Sequence, residues 1–312
     1  MNLDFFTVAS NLISLFSLIA VGYIAVRSKV LDEHASHVFS AFLMKITLPC
    51  TIFVSIIQKE YDPAFFHDGL IIMAFGFVMF ASLLYLSLYI AFLLKVPKDS
   101  QAVWAFSAAF TNGGFMGFPI ALSLFGGDGL ALAVMLNIAF NAVVYTVGAI
   151  EIAKSGSGDV KINIKSIIFS NINISSAISL FFYFSRIKIP ALIVTPLTYI
   201  SNITIPLSMI MIGMALTHSK VNEIFNDFHT WTNTITALII YPIAICLLLK
   251  IFPLSENPLV AAVLILIIAM PAASITNVMC EEYHANIDFA AKVMFMQNLF
   301  SILTIPLICM MI

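Results

Sequence analysis

Apolar runs of about 20 residues recur along the whole length of this chain, and they limit its possible folds more than any other feature. One such run, wound as a helix, crosses the roughly 30 Å hydrocarbon layer of a bilayer. Within hydrocarbon every backbone N–H and C=O must find a partner in the protein, which leaves helices or a closed barrel. A barrel would show segments of about ten residues with alternating polarity, and the sequence has no such pattern. The 312 residues are 61% hydrophobic and 10% charged. That is too little charge to cover a soluble domain, so an all-α membrane protein is predicted.

Ten spans are predicted, at 5–26, 36–57, 68–94, 101–125, 129–153, 164–185, 191–217, 229–251, 258–283 and 287–311, the fourth and ninth interrupted. The longest polar connection, K-S-G-S-G-D-V-K from Lys154 to Lys161, lies at the midpoint. It divides the chain into a first five-helix unit (1–154), a linker (155–163) and a second five-helix unit (164–312). Connections after odd-numbered spans carry Arg27, Lys29, Lys95, Lys98, Lys154, Lys161, Lys165, Lys220 and Lys292. Those after even-numbered spans carry Lys59, Arg186, Lys188 and Lys250. The excess marks the cytoplasmic side, so the linker is predicted inside a cell (inner) membrane and both termini outside. No basic stretch precedes the first apolar run, which therefore reads as a permanent span rather than a cleaved signal.

Other functions are disfavoured by what the chain carries. A net charge of -2 argues against nucleic acid as a partner. Cys50, Cys246, Cys280 and Cys309 stand singly in or beside apolar segments and read as small core residues. The six histidines lack zinc-ligand spacing, so no metal is expected. No nucleophile elbow and no nucleotide-binding loop occur, so neither an organic cofactor nor direct use of ATP is expected.

The two halves resemble each other. K-I-T-L-P (Lys45 to Pro49) matches N-I-T-I-P (Asn202 to Pro206), and Val134-Met135 matches Val293-Met294, at nearly one offset. An offset of 160 lays Thr111 on Pro271 and superposes the two interrupted spans. Five spans per half is an odd number, so the halves would be inverted repeats. Inverted repeats with broken helices in matching places point to a secondary transporter. In A-F-T-N-G-G-F-M-G-F-P, Gly113 and Gly114 are expected to unwind the helix, with Asn112 supplying polar atoms at the break. Pro271 is expected to do the same in A-M-P-A-A-S-I-T-N.

These residues also carry a family resemblance. N-G-G-F-M-G-F-P (Asn112 to Pro119), A-M-P-A-A-S followed by C-E-E-Y-H-A-N-I-D (Cys280 to Asp288), and K-I-T-L-P resemble motifs of the auxin efflux carrier family. That family includes the plant PIN-FORMED proteins and bacterial organic-acid permeases. The resemblance covers the whole chain. It implies ten helices in two inverted repeats, a bile acid symporter-like fold in which helices 4 and 9 cross at the substrate site, and elevator-type alternating access. The chain departs from plant members in having Phe110-Thr111-Asn112 where they have L-P-N. It also has no acid between Leu70 and Leu94, and no long cytoplasmic loop. It therefore resembles a prokaryotic permease.

The reading is a secondary active transporter of a small organic anion, a mono- or dicarboxylate, not an enzyme. Asn112, Gly113, Gly114, Pro271, Ala272, Ser274 and Asn277 are the candidate substrate residues at the two breaks. Lys45 either snorkels or faces a cavity. Asn137, Asn141 and Tyr145 share one face of span 5 and either line a polar cavity or bond between helices; Gln297 and Asn298 present the same choice in span 10. A sodium-coupled symporter would call for carboxylates beside the breaks, where only Thr111, Ser274 and Thr276 supply hydroxyls. An intramembrane enzyme would call for clustered His, Asp or Glu within spans. Membrane lipid is the expected surrounding, with a homodimer left open.

Overall fold

The computed structural model describes residues 5–59, 62–156, 171–187, 189–215, 217 and 225–311. Most of the predicted linker, the start of the sixth span and the end of the seventh lie outside the described residues. Among those described, the structure is helical, with a single isolated β-bridge and no strand. Six helices are long and apolar enough to cross a membrane: Val38–Ile57, Pro63–Leu93, Gly113–Ser155, Ala191–Met214, Phe228–Ile251 and Ile287–Cys309. A multi-pass membrane protein follows from their length and composition.

Local chemistry sets the ends and turns of these helices. Gly113–Ser155 has 43 residues, about 65 Å if it ran straight and twice the hydrocarbon thickness. It turns at Gly126 (φ 67°, ψ -161°), a conformation open only to glycine. The leg before the turn corresponds to the second half of the predicted span 101–125, and the leg after it to the predicted span 129–153. The third helix starts earlier than predicted, at Pro63, with Asp62 accepting a bond from the Ala64 N–H. An aspartate cap followed by proline in the first turn is a strong start signal. Asp68, the first residue of the predicted span, thus lies inside the helix, buried, and its carboxylate accepts bonds from Ser255 Oγ and Asn257 Nδ2.

Of the four π-helical turns among the described residues, three, Leu43–Thr47, Gly113–Gly117 and Thr236–Ile240, end two residues before a proline, namely Pro49, Pro119 and Pro242, while Val144–Gly148 has none. A proline ring inside a helix clashes with the carbonyl four residues back and lacks the N–H to bond it. Widening the preceding turn relieves the clash, and the N–H of Leu48 accordingly reaches the carbonyl of Leu43, five residues back.

The helices pack as two bundles. Phe5–Arg27, Glu33–Phe42, Leu48–Ile57, Asn171–Ser185, Ala191–Ser201 and Thr204–Ala215 contact one another. The remaining helices, from Pro63–Leu93 to Gly113–Ser155 and from Phe228–Ile251 to Ile287–Cys309, form the second bundle. Within the first bundle Phe5–Arg27 meets Thr204–Ala215 backbone to backbone. A Cβ on Gly22 would collide with the Ile210 carbonyl oxygen, and one on Gly213 with that of Ile19. Small residues permit this approach where lipid supplies no hydrophobic drive between helices. Thr51 Oγ1 and Thr204 Oγ1 lie 2.6 Å apart, so the regions around the two matched I-T-x-P motifs touch.

Gly213→Ala and Gly22→Ala should each lower stability by about 1–3 kcal/mol, because backbone has to move to admit the methyl group. Gly127→Ala should be tolerated, since a Cβ there meets nothing nearer than 3.5 Å. Thermal unfolding in detergent measures all three.

Candidate functional site: two broken helices and the cavity at their crossing

Both predicted breaks are present. The helix Gln101–Ala109 ends where Phe110 turns to an extended conformation (φ -108°, ψ 111°). The helix Pro258–Ile268 ends at Ala269, and the next begins at Ile275. One expectation is corrected. The first break lies at Phe110–Asn112, while Gly113 and Gly114 already belong to the following π turn with no positive φ. The extended pairing of Thr111 with Ala272, not glycine freedom, unwinds the chain here. The glycine packed at the crossing is Gly117, where a Cβ would stand 2.6 Å from Ile267 Cδ1 and the isoleucine side chain would have to shift.

Unpaired backbone groups at a break in hydrocarbon cost several kcal/mol each. Here each break answers the other. The N–H of Asn112 donates to the carbonyl of Pro271 at 2.6 Å, and that of Ala273 to Phe110 at 2.9 Å. Thr111 Oγ1 donates to the carbonyl of Ile267 at 2.7 Å. The N–H of Ala272 donates to Gln297 Oε1 at 2.7 Å. Gln297 is wholly buried, and its Nε2 donates to Asn233 Oδ1 at 2.7 Å and to the Ser107 carbonyl at 3.3 Å. Asn233 Nδ2 in turn donates to the Trp104 carbonyl at 2.7 Å. Gln297 therefore bonds between helices. Asn112 caps the helix that follows, its Oδ1 accepting from the Phe115 N–H at 3.1 Å. Alanine at that position would thus disturb folding as well as any ligand contact.

Beside the crossing lies a cavity of about 300 Å³. Ser40, Met44 and Ile172 line it from the first bundle, and Asn112, Gly113, Gly114, Ser274, Asn137, Asn141 and Tyr145 line it from the second. Two half-helix N-termini, at Gly113 and at Ile275, reach its wall. Among the described residues, the lining has no lysine, arginine, histidine or carboxylate. Asn141 Nδ2 also donates to Asn173 Oδ1 at 3.3 Å. Asn137 is 8% exposed, and its Nδ2 has no hydrogen-bond partner among the described residues.

Seven of the residues singled out from the sequence line this cavity: Asn112, Gly113, Gly114, Ser274, Asn137, Asn141 and Tyr145. Pro271 and Ala272 are buried in the crossing itself. Asn277 is not in the lining, and its Oδ1 is buried and unpartnered among the described residues. Lys45 is exposed and opens on a different cavity, of about 340 Å³, with Pro49, Cys50, Phe53 and Asn171. Asn137, read from the sequence as lining a polar cavity or bonding between helices, lies in the cavity wall with a buried donor.

A multi-pass helical protein with a cavity where two broken helices pair is organised as a membrane carrier is, and the comparisons with known proteins agree. The chain matches the family described as membrane transport protein over residues 7–166 and 159–309. It belongs to that family, the auxin efflux carrier family. It is 27% identical over 301 residues to an uncharacterized transporter of Methanocaldococcus jannaschii, covering 93% of this chain and 94% of that protein. An uncharacterized transporter of Methanothermobacter thermautotrophicus is 24% identical over 302 residues, covering 95% of this chain and 96% of that protein. The chain is a membrane transporter, not an enzyme.

Two buried amides should respond oppositely to the same substitution. Gln297→Leu strands the Ala272 N–H and the Asn233 amide in the crossing and should destabilise by about 2–4 kcal/mol. Asn137→Leu removes a donor that has no partner and should leave the melting temperature unchanged or raised. Thermal unfolding of the two variants measures the contrast.

Proposed function

We propose that this protein is a secondary active carrier of a small organic anion, a mono- or dicarboxylate, working by elevator-type alternating access. In this reading ten spans form two inverted repeats, 1–154 and 164–312, joined by a cytoplasmic linker. The bundle containing both broken helices slides against the bundle formed by residues 5–57 and 171–215. Contact between the matched I-T-x-P regions, and pairing of one break with the other, suit a pseudo-two-fold arrangement. The cell membrane, with both termini outside, is the proposed setting.

The observation that carries the reading is electrostatic. Two half-helix N-termini and the free Asn137 amide converge on a cavity whose lining holds no carboxylate. Helix N-termini favour negative charge by about 0.3–1 kcal/mol each, more where water is scarce. Among the described residues, no ammonium or guanidinium stands there to hold the anion too tightly for release. Asn112, Asn137, Asn141 and Tyr145 give the ligand its hydrogen bonds, and Gly113, Gly114 and Ser274 let it approach backbone.

Counterflow in proteoliposomes with a panel of short mono- and dicarboxylates tests this. Asn137→Leu should weaken apparent affinity about tenfold or more, as expected for a lost bond to a charged group. Asn112→Asp keeps the capping oxygen but sets a negative charge at the helix N-terminus, and should abolish uptake in a folded protein. Uptake of organic cations in place of carboxylates, or unchanged kinetics in both variants, would reject the reading. For the topology, reporters fused after residue 312 and at Gly156 should report outside and inside respectively. The reverse result would reject the inverted repeat as well.

A further inference from the structure

The cavity at the crossing lies toward one end of the molecule. Ser40 and Met44 are in the first turns after Glu33, Tyr145 precedes the end of its helix at Ser155, and Val278 precedes Glu282. The seam between the two bundles continues along the same Gly113–Ser155 helix toward the opposite end. There Val134, Met135 and Ile138 face Ile56, Ser176 and Leu180, and the seam narrows to about 20 Å³, room for about one water.

Lys59 lies at the closed mouth of the seam. It is the one cation among the described residues that line either the cavity or the seam. It follows the Leu48–Ile57 helix of the first bundle, and its side chain is 14% exposed. Its Nζ is 2.6 Å from Oδ1 of Asp128, which belongs to the second bundle beyond the turn at Gly126. The same Nζ sits 3.4 Å from the ring centroid of Phe65, also of the second bundle. A second tie crosses beside it. The N–H of Asp62 donates to Tyr183 Oη at 2.8 Å, and the Tyr183 hydroxyl donates to the Asp62 carbonyl at 3.3 Å. If this mouth opens, the bundles part, and Lys59 loses both Asp128 and the Phe65 ring. A sheltered ammonium without a partner is costly, and a carboxylate entering or leaving there is the anion that replaces Asp128.

We propose that Lys59 is an anion-capture site at the second mouth of the pathway, occupied by Asp128 while that mouth is closed and by the carboxylate of the substrate when it is open. The proposal rests on the organic-anion carrier reading. It assigns charge recognition to the mouth and leaves the uncharged cavity to bind weakly enough for release. A cation at an entrance also raises the local concentration of anions.

The test uses the full chain in lipid nanodiscs and reads modification of Lys59 by trinitrobenzenesulfonate, an amine-reactive anion, by peptide mass spectrometry. Lys250, exposed and on the same end of the molecule, is the internal standard. Asp128 is half exposed, so Asp128→Asn can be made without burying a new group. That variant should raise the Lys59 to Lys250 ratio about fivefold, the factor expected for loss of a partly sheltered ion pair. Malonate, lactate and succinate are then added singly. At least one should return the ratio toward the wild-type value, and chloride at equal ionic strength should not. An unchanged ratio in Asp128→Asn overturns the proposal, as does a raised ratio on which no carboxylate acts more strongly than chloride. Counterflow of the same three anions separates the two readings. Transport without protection rejects Lys59 and keeps the carrier; protection without transport rejects the carrier and keeps the site.

Discussion

A helix can be broken inside hydrocarbon only if the groups it frees are bonded by something other than water, and the core of this molecule is arranged around that requirement. Two breaks are made at once, and each supplies the partners the other needs. Asn112 bonds to Pro271, Ala273 to Phe110, and Thr111 to Ile267. The group left over, the Ala272 N–H, is taken by Gln297, which is held in turn by Asn233 and Ser107. This explains a glutamine that is wholly buried among apolar helices. It also explains Gly117, which lets the Ile267 side of one helix lie against the other.

The same accounting separates structure from candidate function. Polar groups that hold the crossing are saturated, and their neighbours toward the cavity are not. Asn112 divides its roles, with Oδ1 spent on the helix cap and the residue still in the cavity wall. Asn137 has a buried amide nitrogen with no partner among the described residues, a cost that natural sequences rarely carry without use. Carrier chemistry fits this economy: a ligand held by dipoles and single hydrogen bonds can leave, where one held by a buried salt bridge would not.

The division into two bundles gives the packing its mechanical meaning. Within the first, Gly22 and Gly213 lock helices at backbone contact. Within the second, Ser87 Oγ and Tyr241 Oη at 2.6 Å and the Gln297 network tie distant segments together. Between the bundles the described polar ties include the ion pair of Lys59 with Asp128 and the bonds of Tyr183 to Asp62, both at the closed mouth. In the proposed carrier the two bundles would move as bodies, between discrete rather than graded positions.

Much was legible in the sequence because membrane crossing imposes length. Apolar runs of about 20 residues, glycine or proline where a helix must stop, and an echoed I-T-x-P motif each act locally or nearly so. Helical class, the presence of an interruption in each of two spans and the family resemblance follow from them. What local chemistry could not determine is which atoms meet. The glycines of N-G-G were expected to make the first break, yet the chain unwinds three residues earlier, because extended backbone at Thr111 gains bonds to Ala272 that no neighbour in sequence supplies. Lys45 looked like a charge for the site, and helix phase turned it to another cavity. Gln297 and Asn137 carry similar side chains on similar helices. Only the packing of partners 25 to 190 residues away decided that one is bonded on every side and the other is left free.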